Sequence, residues 1–288
     1  MFLGALGYAD DIILLAPSMH AMRHMLRVAN VYSLEYNITF NPEKSKLMAF
    51  GGSNTIDELN LLFNNSNLVS VKRVTHLGNS IGPDVKDNGI NDAICDLYKR
   101  VNIMLAQFGK TAPFVKYKLF KTYCVILYGS QLWDYSSHSV DLLYTAWRKC
   151  VRRIWSLHPR THCLLLPLIC DDSAIEVQLH QRFLNFYKTL STSNNECLKR
   201  ASKLVLGGSR SAASNSLTFI CNKYKLNKWA ALTCHTMFKI KADLEEIPDI
   251  QLAYAGAIRE FTHMRHVMQR KSPNVNDITD ILEYLCTS

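Results

Sequence analysis

The order of apolar and polar positions divides the chain into a front part of short strands and a longer part of helices. Residues 4–16 hold two short apolar runs on either side of Asp10-Asp11, and Pro17-Ser18 follows the second run. The second run is aliphatic and β-branched, and it is too short for a helix of its own. The pattern therefore predicts two strands joined by a tight turn, with both aspartates at its tip.

One helix and several short elements are expected before residue 83. Apolar residues recur at helical spacing from Ser18, a suitable N-cap, to about Ser33. The other expected elements are two strands joined by a turn at 36–40 and 46–50, a short helix at about 56–63, and a hairpin formed by 69–71 and 74–82. Together they predict a partial antiparallel sheet with a helix.

After residue 83 the period of the apolar residues changes to that of helices. Helices are expected at about 90–108, 113–128, 140–155, 175–189, 195–206, 217–224, 228–244, 250–269 and 277–285, with a Gly/Ser-rich linker at 207–216. The predicted fold class is therefore α+β at the amino end and all-α afterwards.

A second pair of aspartates, Asp171-Asp172, also follows an apolar run, but we interpret this pair as structural. Ser173 and Glu176 have the spacing of a capping box that opens a helix. Acidic side chains before a helix are stabilised by its dipole, which gives these aspartates a structural role.

Composition indicates which kind of binding partner and which cellular compartment suit this chain. The net charge of +9 suits a polyanionic partner, although many proteins without one are as basic. Nine cysteines without a Cys-x-x-Cys pair favour reduced thiols, as in the nucleus or cytoplasm. We expect neither a signal peptide nor a membrane span, because Asp10 and Asp11 interrupt the apolar start and no run of about twenty apolar residues follows.

Four short segments of the sequence resemble parts of the reverse transcriptases of LINE-type (non-LTR) retrotransposons. Tyr8-Ala9-Asp10-Asp11 resembles the catalytic palm hairpin, and residues 41–46, Asn-Pro-Glu-Lys-Ser-Lys, resemble a segment that follows it in this family. Leu77-Gly78 resembles the hairpin that grips the primer end, although His76 stands where the family usually has an aromatic residue. Tyr128-Gly129 with Trp133 resembles the start of the thumb.

The resemblance implies template-directed addition of deoxynucleotides to a primer. Asp10 and Asp11 would be catalytic and would bind Mg²⁺, two ions of which can stabilise an in-line phosphoryl transfer. Lys44 would act on the phosphates of the incoming nucleotide, with Lys46 as the second choice. The expected substrate contacts are Tyr8, Lys46, Leu77 and Gly78. The lysines could also be ordinary exposed turn residues.

A basic cluster in the helix at 140–155 is the strongest nucleic-acid candidate outside the palm. It consists of Arg148, Lys149, Arg152 and Arg153. These side chains could meet phosphates, with Trp147 and Trp155 as aromatic surface nearby. The alternative is an ordinary amphipathic helix with a solvated basic face and core tryptophans.

These residues predict three regions: a partial palm at 1–82, a thumb-like helical domain at 83–160, and a helical region of unknown role at 161–288. A palm also needs a carboxylate from an earlier strand and fingers, for which residues 1–7 leave no room. We therefore expect a catalytically incomplete reverse transcriptase whose intact form takes an RNA template and a DNA primer and needs no small-molecule cofactor. Exposed sheet edge could lead to self-association.

Two alternatives belong to other classes of protein. The chain could be a non-catalytic nucleic-acid-binding remnant or the product of a decayed open reading frame. It could also be a helical interaction protein whose aspartates are incidental. Salt-sensitive binding of a nucleic-acid duplex would distinguish the first of these from the second.

Overall fold

The computed structural model describes residues 4–51, 61–64, 66–82, 88–161, 163, 165–208 and 211–226. Within these ranges the protein combines α-helices with small β-sheets, which is the coarse class that the sequence predicts. The chain divides into two compact units, Met1–Val85 and Lys86–Ser288. All the described strands lie in the first unit, and the described part of the second unit is helical.

The front hairpin is present, as the sequence predicts. Its strands β1 and β2 pair antiparallel over Ala5–Tyr8 and Asp11–Leu14. Tyr8 is the partner of Asp11, so the turn consists of only Ala9 and Asp10. The two apolar runs are therefore the two strands, and the register is set by the shortest hairpin turn in common use.

Helix α1, Met19–Glu35, begins where its cap predicts. The Oγ atom of Ser18 accepts a hydrogen bond from the backbone N–H of Ala21 at 3.2 Å. That bond satisfies one of the free N–H groups of the first turn. Leu26 is buried in the core of the first unit, and Met22 packs against it, so the helix attaches to the unit through one apolar stripe.

The predicted pair of strands at 36–40 and 46–50 is wrong. Residues 36–40 form no strand, and only Lys46–Leu47, strand β3, remains of the second. Residues 36–38 instead close the end of α1, because Asn37 has a φ angle of 53° and the backbone N–H of Ile38 donates to the carbonyl of Ser33 at 2.9 Å. In the turn that follows, the Oδ1 atom of Asn41 accepts hydrogen bonds from the backbone N–H groups of Glu43 and Lys44 at 3.0 and 3.1 Å. Such local bonds offer the backbone an alternative to a sheet ladder.

The remaining short strands pair differently from the prediction. Their bounds are β4, Leu62–Phe63; β5, Ser66–Asn67; β6, Val69–Ser70; β7, Val74–His76; and β8, Asn79–Ile81. β6 pairs in parallel with β3, so 69–71 is not part of the predicted hairpin, whereas β7 and β8 do form one. β4 pairs with β5 where the end of a helix was expected; the rest of that predicted helix, 56–60, lies outside the described residues.

The second unit is built from seven described α-helices around one large core. They are α2, Asn88–Phe108; α3, Pro113–Leu119; α4, His138–Ile154; α5, Leu165–Cys170; α6, Ile175–Thr192; α7, Glu196–Leu206; and α8, Ala212–Lys223. α2 packs against α4, and α6 packs against α7. The core of this unit contains thirty buried residues among those described, against five in the first unit.

Three predictions for this unit need correction. The helix expected at 113–128 becomes a π-helical turn at Phe120–Cys124 and ends there, because the φ and ψ angles of Val125 leave the helical region. The predicted linker at 207–216 contains the start of α8, which Ser211 caps. The predicted capping box is absent, since Ala174 is the N-cap of α6 and provides no side-chain bond. The helices expected after residue 227 lie outside the described residues.

A buried histidine joins three helices of the second unit. His180 Nδ1 lies 2.8 Å from the hydroxyl of Tyr224, and its Nε2 lies 3.3 Å from the hydroxyl of Tyr144. Because a neutral imidazole has one N–H, one hydroxyl accepts and the other donates. Burial, together with a smaller effect of the charge on Lys223, lowers the pKa of His180 to about 3, so its imidazole is neutral in the folded protein at neutral pH.

No helix in the described part of the chain has the length and apolar character needed to cross a membrane.

Candidate functional site

The tip of the front hairpin has an unusual backbone. Ala9 has a φ angle of 53°, a left-handed conformation that costs a residue with a side chain about 1–2 kcal/mol. This conformation lets two residues close the turn, and it leaves Asp10 at the tip. Strain of this kind persists where the local structure demands it, and it is concentrated at functional sites.

The hairpin brings the predicted site residues Tyr8, Asp10 and Asp11 together. Tyr8 and Asp11 are cross-strand partners, so their side chains lie on the same face of the hairpin. Both aspartates are exposed, and Tyr8 is 65% exposed. Two neighbouring carboxylates open to solvent suit Mg²⁺, which takes one or two protein carboxylates and keeps several waters.

The described residues do not complete a full set of metal ligands at this tip. No group of three or more His, Cys, Asp or Glu side chains that could hold a metal occurs among them. The hairpin therefore offers two carboxylates and no third. Such a site is half of what a two-ion phosphoryl transfer requires.

The predicted phosphate-binding lysines lie on the Asn41 turn described above. The ammonium group of Lys46 donates a hydrogen bond to the carbonyl of Glu43 at 2.8 Å, which holds it against its own turn. Lys44 is exposed. In the part of the chain that the structure describes, neither lysine makes a hydrogen bond or ion pair with Asp10 or Asp11.

A second two-residue turn carries Leu77 and Gly78 at the tip of the β7–β8 hairpin. Their φ angles are 48° and 74°, and two positive values are the signature of a type I′ turn. Arg73 braces this hairpin by donating from Nη2 to the hydroxyl of Ser80 at 2.8 Å. The turn thus holds an apolar side chain at an exposed tip in a conformation that leucine seldom adopts.

On α4 the structure separates the predicted basic cluster into one structural arginine and three outward cations. Arg152 donates from Nε and Nη2 to the carbonyl of Thr161 at 3.1 and 2.7 Å. Burial lowers its pKa, and the guanidinium remains charged. Lys149 and Arg153 are exposed and Arg148 is half-buried, so these three remain open to phosphates.

The two tryptophans beside this cluster do not offer aromatic surface. Trp147 and Trp155 are each 3% exposed and belong to the core of the second unit. Of the two interpretations of this helix, the one that places both tryptophans in the core is confirmed for these side chains. Trp147 falls on the stripe of α4 that packs inward, and Trp155 directly follows the last residue of that helix.

The distribution of charge is a signal that motif-by-motif interpretation missed. Residues 88–226 contain nineteen Lys and Arg against eight Asp and Glu. Residues 1–87 contain seven against eight, and residues 227–288 also contain seven against eight. The whole excess of positive charge therefore falls in the middle of the chain. Counting charges by segment would have found this from the sequence.

The second pair of aspartates has the structural role that the sequence predicts, through different bonds. Tyr117 donates its hydroxyl to Oδ2 of Asp172 at 3.1 Å, and Lys121 forms an ion pair with the same oxygen at 2.6 Å. Burial raises the pKa of Tyr117, and the neighbouring Cys170 and Asp172 add to this effect. Asp172 therefore ties α5 to the region of α3, and the pair provides a natural control for Asp10-Asp11.

Comparisons with known proteins identify no family for this chain. No protein-family model matches it, and searches of curated proteins and of solved structures found no significant match.

Proposed function

We propose that the chain carries part of the catalytic centre and the nucleic-acid-binding helices of a LINE-type reverse transcriptase. The observation that supports this proposal is the front hairpin: Asp10 lies in its two-residue turn, Asp11 follows directly as the first residue of β2, both are exposed, and Ala9 has a left-handed φ angle. Two adjacent carboxylates repel each other, and a bound cation relieves that repulsion.

The reaction is nucleotidyl transfer. The 3′-hydroxyl of a primer loses its proton to water, and its oxygen attacks the α-phosphorus of a deoxynucleoside triphosphate. The bond from the α-phosphorus to the pyrophosphate oxygen breaks as the new phosphodiester forms, and pyrophosphate leaves. Asp10 and Asp11 would hold Mg²⁺, and a bound ion would supply electrostatic stabilisation of the oxygens that carry charge in this transfer. Tyr8 lies on the same face as Asp11 and supports the primer end or the nucleotide.

Two further turns supply substrate contacts in this proposal. Lys44 is exposed and neutralises charge on the leaving pyrophosphate, whereas Lys46 fixes the turn that carries it through its bond to Glu43. Leu77 and Gly78 hold the primer end through the apolar tip of their type I′ turn. All of these groups belong to the first unit.

Affinity for the template and primer comes from the basic middle of the chain. Lys149 and Arg153, together with Arg148, meet phosphates without reading sequence, so binding weakens steeply as salt rises. The partner is an RNA template paired to a DNA primer. This charge distribution also supports the alternative, a nucleic-acid-binding protein without catalysis.

The chain by itself is catalytically incomplete in this proposal. The described residues bring no third carboxylate to the hairpin, and two-ion catalysis needs one. We therefore expect metal binding at the hairpin without primer extension by the isolated chain. Extension that is abolished by Asp10→Asn would contradict this incompleteness while supporting the catalytic role.

Paramagnetic Mn²⁺ in place of Mg²⁺ tests the metal site directly. Substoichiometric Mn²⁺ should broaden the amide NMR signals of residues 8–12 before all others, and the double variant D10N/D11N should lose this selectivity. The matched control is D171N/D172N, which removes the structural pair and should leave the effect in place. Equal broadening in wild type and D10N/D11N would overturn the assignment of the metal site.

A further inference from the structure

The outer face of α1 is apolar, although the helix already buries its opposite face. Leu26 and Met22 occupy the core side. On the other side Val28 is 56% exposed, Val31 is 63% exposed and Leu34 is 83% exposed. A surface helix normally has a single apolar stripe, so a second one marks surface that another molecule covers.

This second stripe has the shape of a packing seam. A shallow groove of about 380 Å³ runs along it, lined by His24, Arg27, Val28, Val31, Tyr32 and Glu35. We call this set the α1 seam. Its members recur at spacings of four and three residues, which is the pattern of helices that pack side by side along their length.

The charges of the α1 seam on one copy of the chain match those of the α1 seam on a second copy that runs in the opposite direction. Arg27 makes its amino-terminal part basic, Val28 and Val31 make its middle apolar, and Glu35 makes its carboxyl end acidic. A second copy turned antiparallel brings each basic end to the other's acidic end. Such self-complementarity is what a two-fold interface requires.

We propose that the α1 seam is the surface at which two copies of this chain pair, with their α1 helices antiparallel. In this pairing, Val28 and Val31 of one copy are covered by the α1 seam of the other copy. Arg27 of each copy lies beside the acidic end of the opposite helix. It is independent of the proposed function, because none of the seam residues belongs to the hairpin tip. One helix pair is a small interface, so we expect a dissociation constant on the order of 1–100 μM.

Sedimentation equilibrium of nucleic-acid-free protein at concentrations of about 1–200 μM tests the pairing. Wild type should pass from monomer to dimer, and V31D should weaken the dimer at least tenfold. Val31 is exposed, so circular dichroism should show that V31D remains folded. The control L204D changes an apolar residue of α7 that is 67% exposed and should leave dimerisation unchanged.

Charge exchange tests the antiparallel arrangement. R27E and E35R should each weaken the dimer, and the double variant R27E/E35R should restore it, because each reversed end again meets its opposite. A wild type that stays monomeric throughout, association that V31D does not affect (as pairing through sheet edges would give), or a double variant no better than the single ones would overturn the proposal.

Discussion

The two units of this protein differ in how much structure supports their candidate residues. The first unit presents exposed carboxylates and strained turns from a base of five buried residues, whereas the second has thirty buried residues among those described. Positive charge follows the second unit, in residues 88–226. The difference indicates that the candidate chemistry lies on the weakly packed unit and the candidate polyanion surface on the well-packed one.

Core truncations should produce the largest difference between the units. Phe183 is fully buried in the second unit. The substitution Phe183→Ala should therefore lower the free energy of unfolding by about 3–5 kcal/mol. All four tryptophans lie after residue 130, so their fluorescence during denaturant unfolding reports the second unit. The control Leu26→Ala, in the core of the first unit, should leave that transition in place; an equal shift would show that the units unfold as one.

Acid should destabilise the second unit through His180. Its pKa falls from an ordinary value near 6.5 to about 3 on folding, so the unfolded chain binds the additional proton between these values. Stability is therefore fully present above about pH 6.5 and falls by up to about 1.4 kcal/mol per pH unit as the pH drops towards 3. Denaturant midpoints of wild type should show this slope, and His180→Leu should flatten it. An unchanged slope in the variant would assign the acid sensitivity to other groups.

Charge reversal on α4 should weaken nucleic-acid binding by a smaller amount. The double change K149E/R153E removes two outward cations, so the affinity for a labelled RNA–DNA hybrid should fall roughly tenfold and the log–log salt slope should decrease by about two. Fluorescence anisotropy at several salt concentrations measures both. The control is K44E, a substitution in the first unit, which should change the salt slope by no more than one. If K44E and K149E/R153E changed affinity and slope equally, the distinction between the two surfaces would be lost.

The smallest expected effect concerns the turn of the front hairpin. Ala9→Gly relieves the left-handed strain at φ 53° and should stabilise the hairpin by up to about 1 kcal/mol. Hydrogen exchange of the β1 amides should slow accordingly. The control Ala5→Gly, at a regular strand position, should accelerate exchange. If both changes accelerate exchange, the turn of Ala9 is not strained.

Local signals predicted the parts of the fold that depend on neighbouring residues. Ser18 caps α1 as its side chain predicts, and the short apolar runs around Asp10 give the hairpin register. In the same way, Ser211 caps α8, although the surrounding Gly and Ser residues obscured this start. These elements depend on bonds within a few residues, which a single sequence contains.

The features that escaped prediction depend on distant partners or on backbone strain. The parallel pairing of Lys46–Leu47 with Val69–Ser70 joins segments more than twenty residues apart. The π-helical turn at Phe120–Cys124 and the left-handed Ala9 have no side-chain signature. The burial of Trp147 and Trp155 was one of two alternatives that the sequence left open, and the packing of the second unit decides between them. For the candidate site, the sequence supplied the residues and the structure supplied their exposure and strain.

One measurement most directly tests whether the hairpin aspartates place metal chemistry at nucleic acid. Fe²⁺ substituted for Mg²⁺, with ascorbate and peroxide, cleaves nucleic acid near a bound ion, and an end-labelled DNA primer on an RNA template records the position. We predict cleavage concentrated within a few nucleotides of the primer 3′ end, lost in D10N/D11N and retained in D171N/D172N. Uniform cleavage, or the same pattern in D10N/D11N as in wild type, would contradict the account.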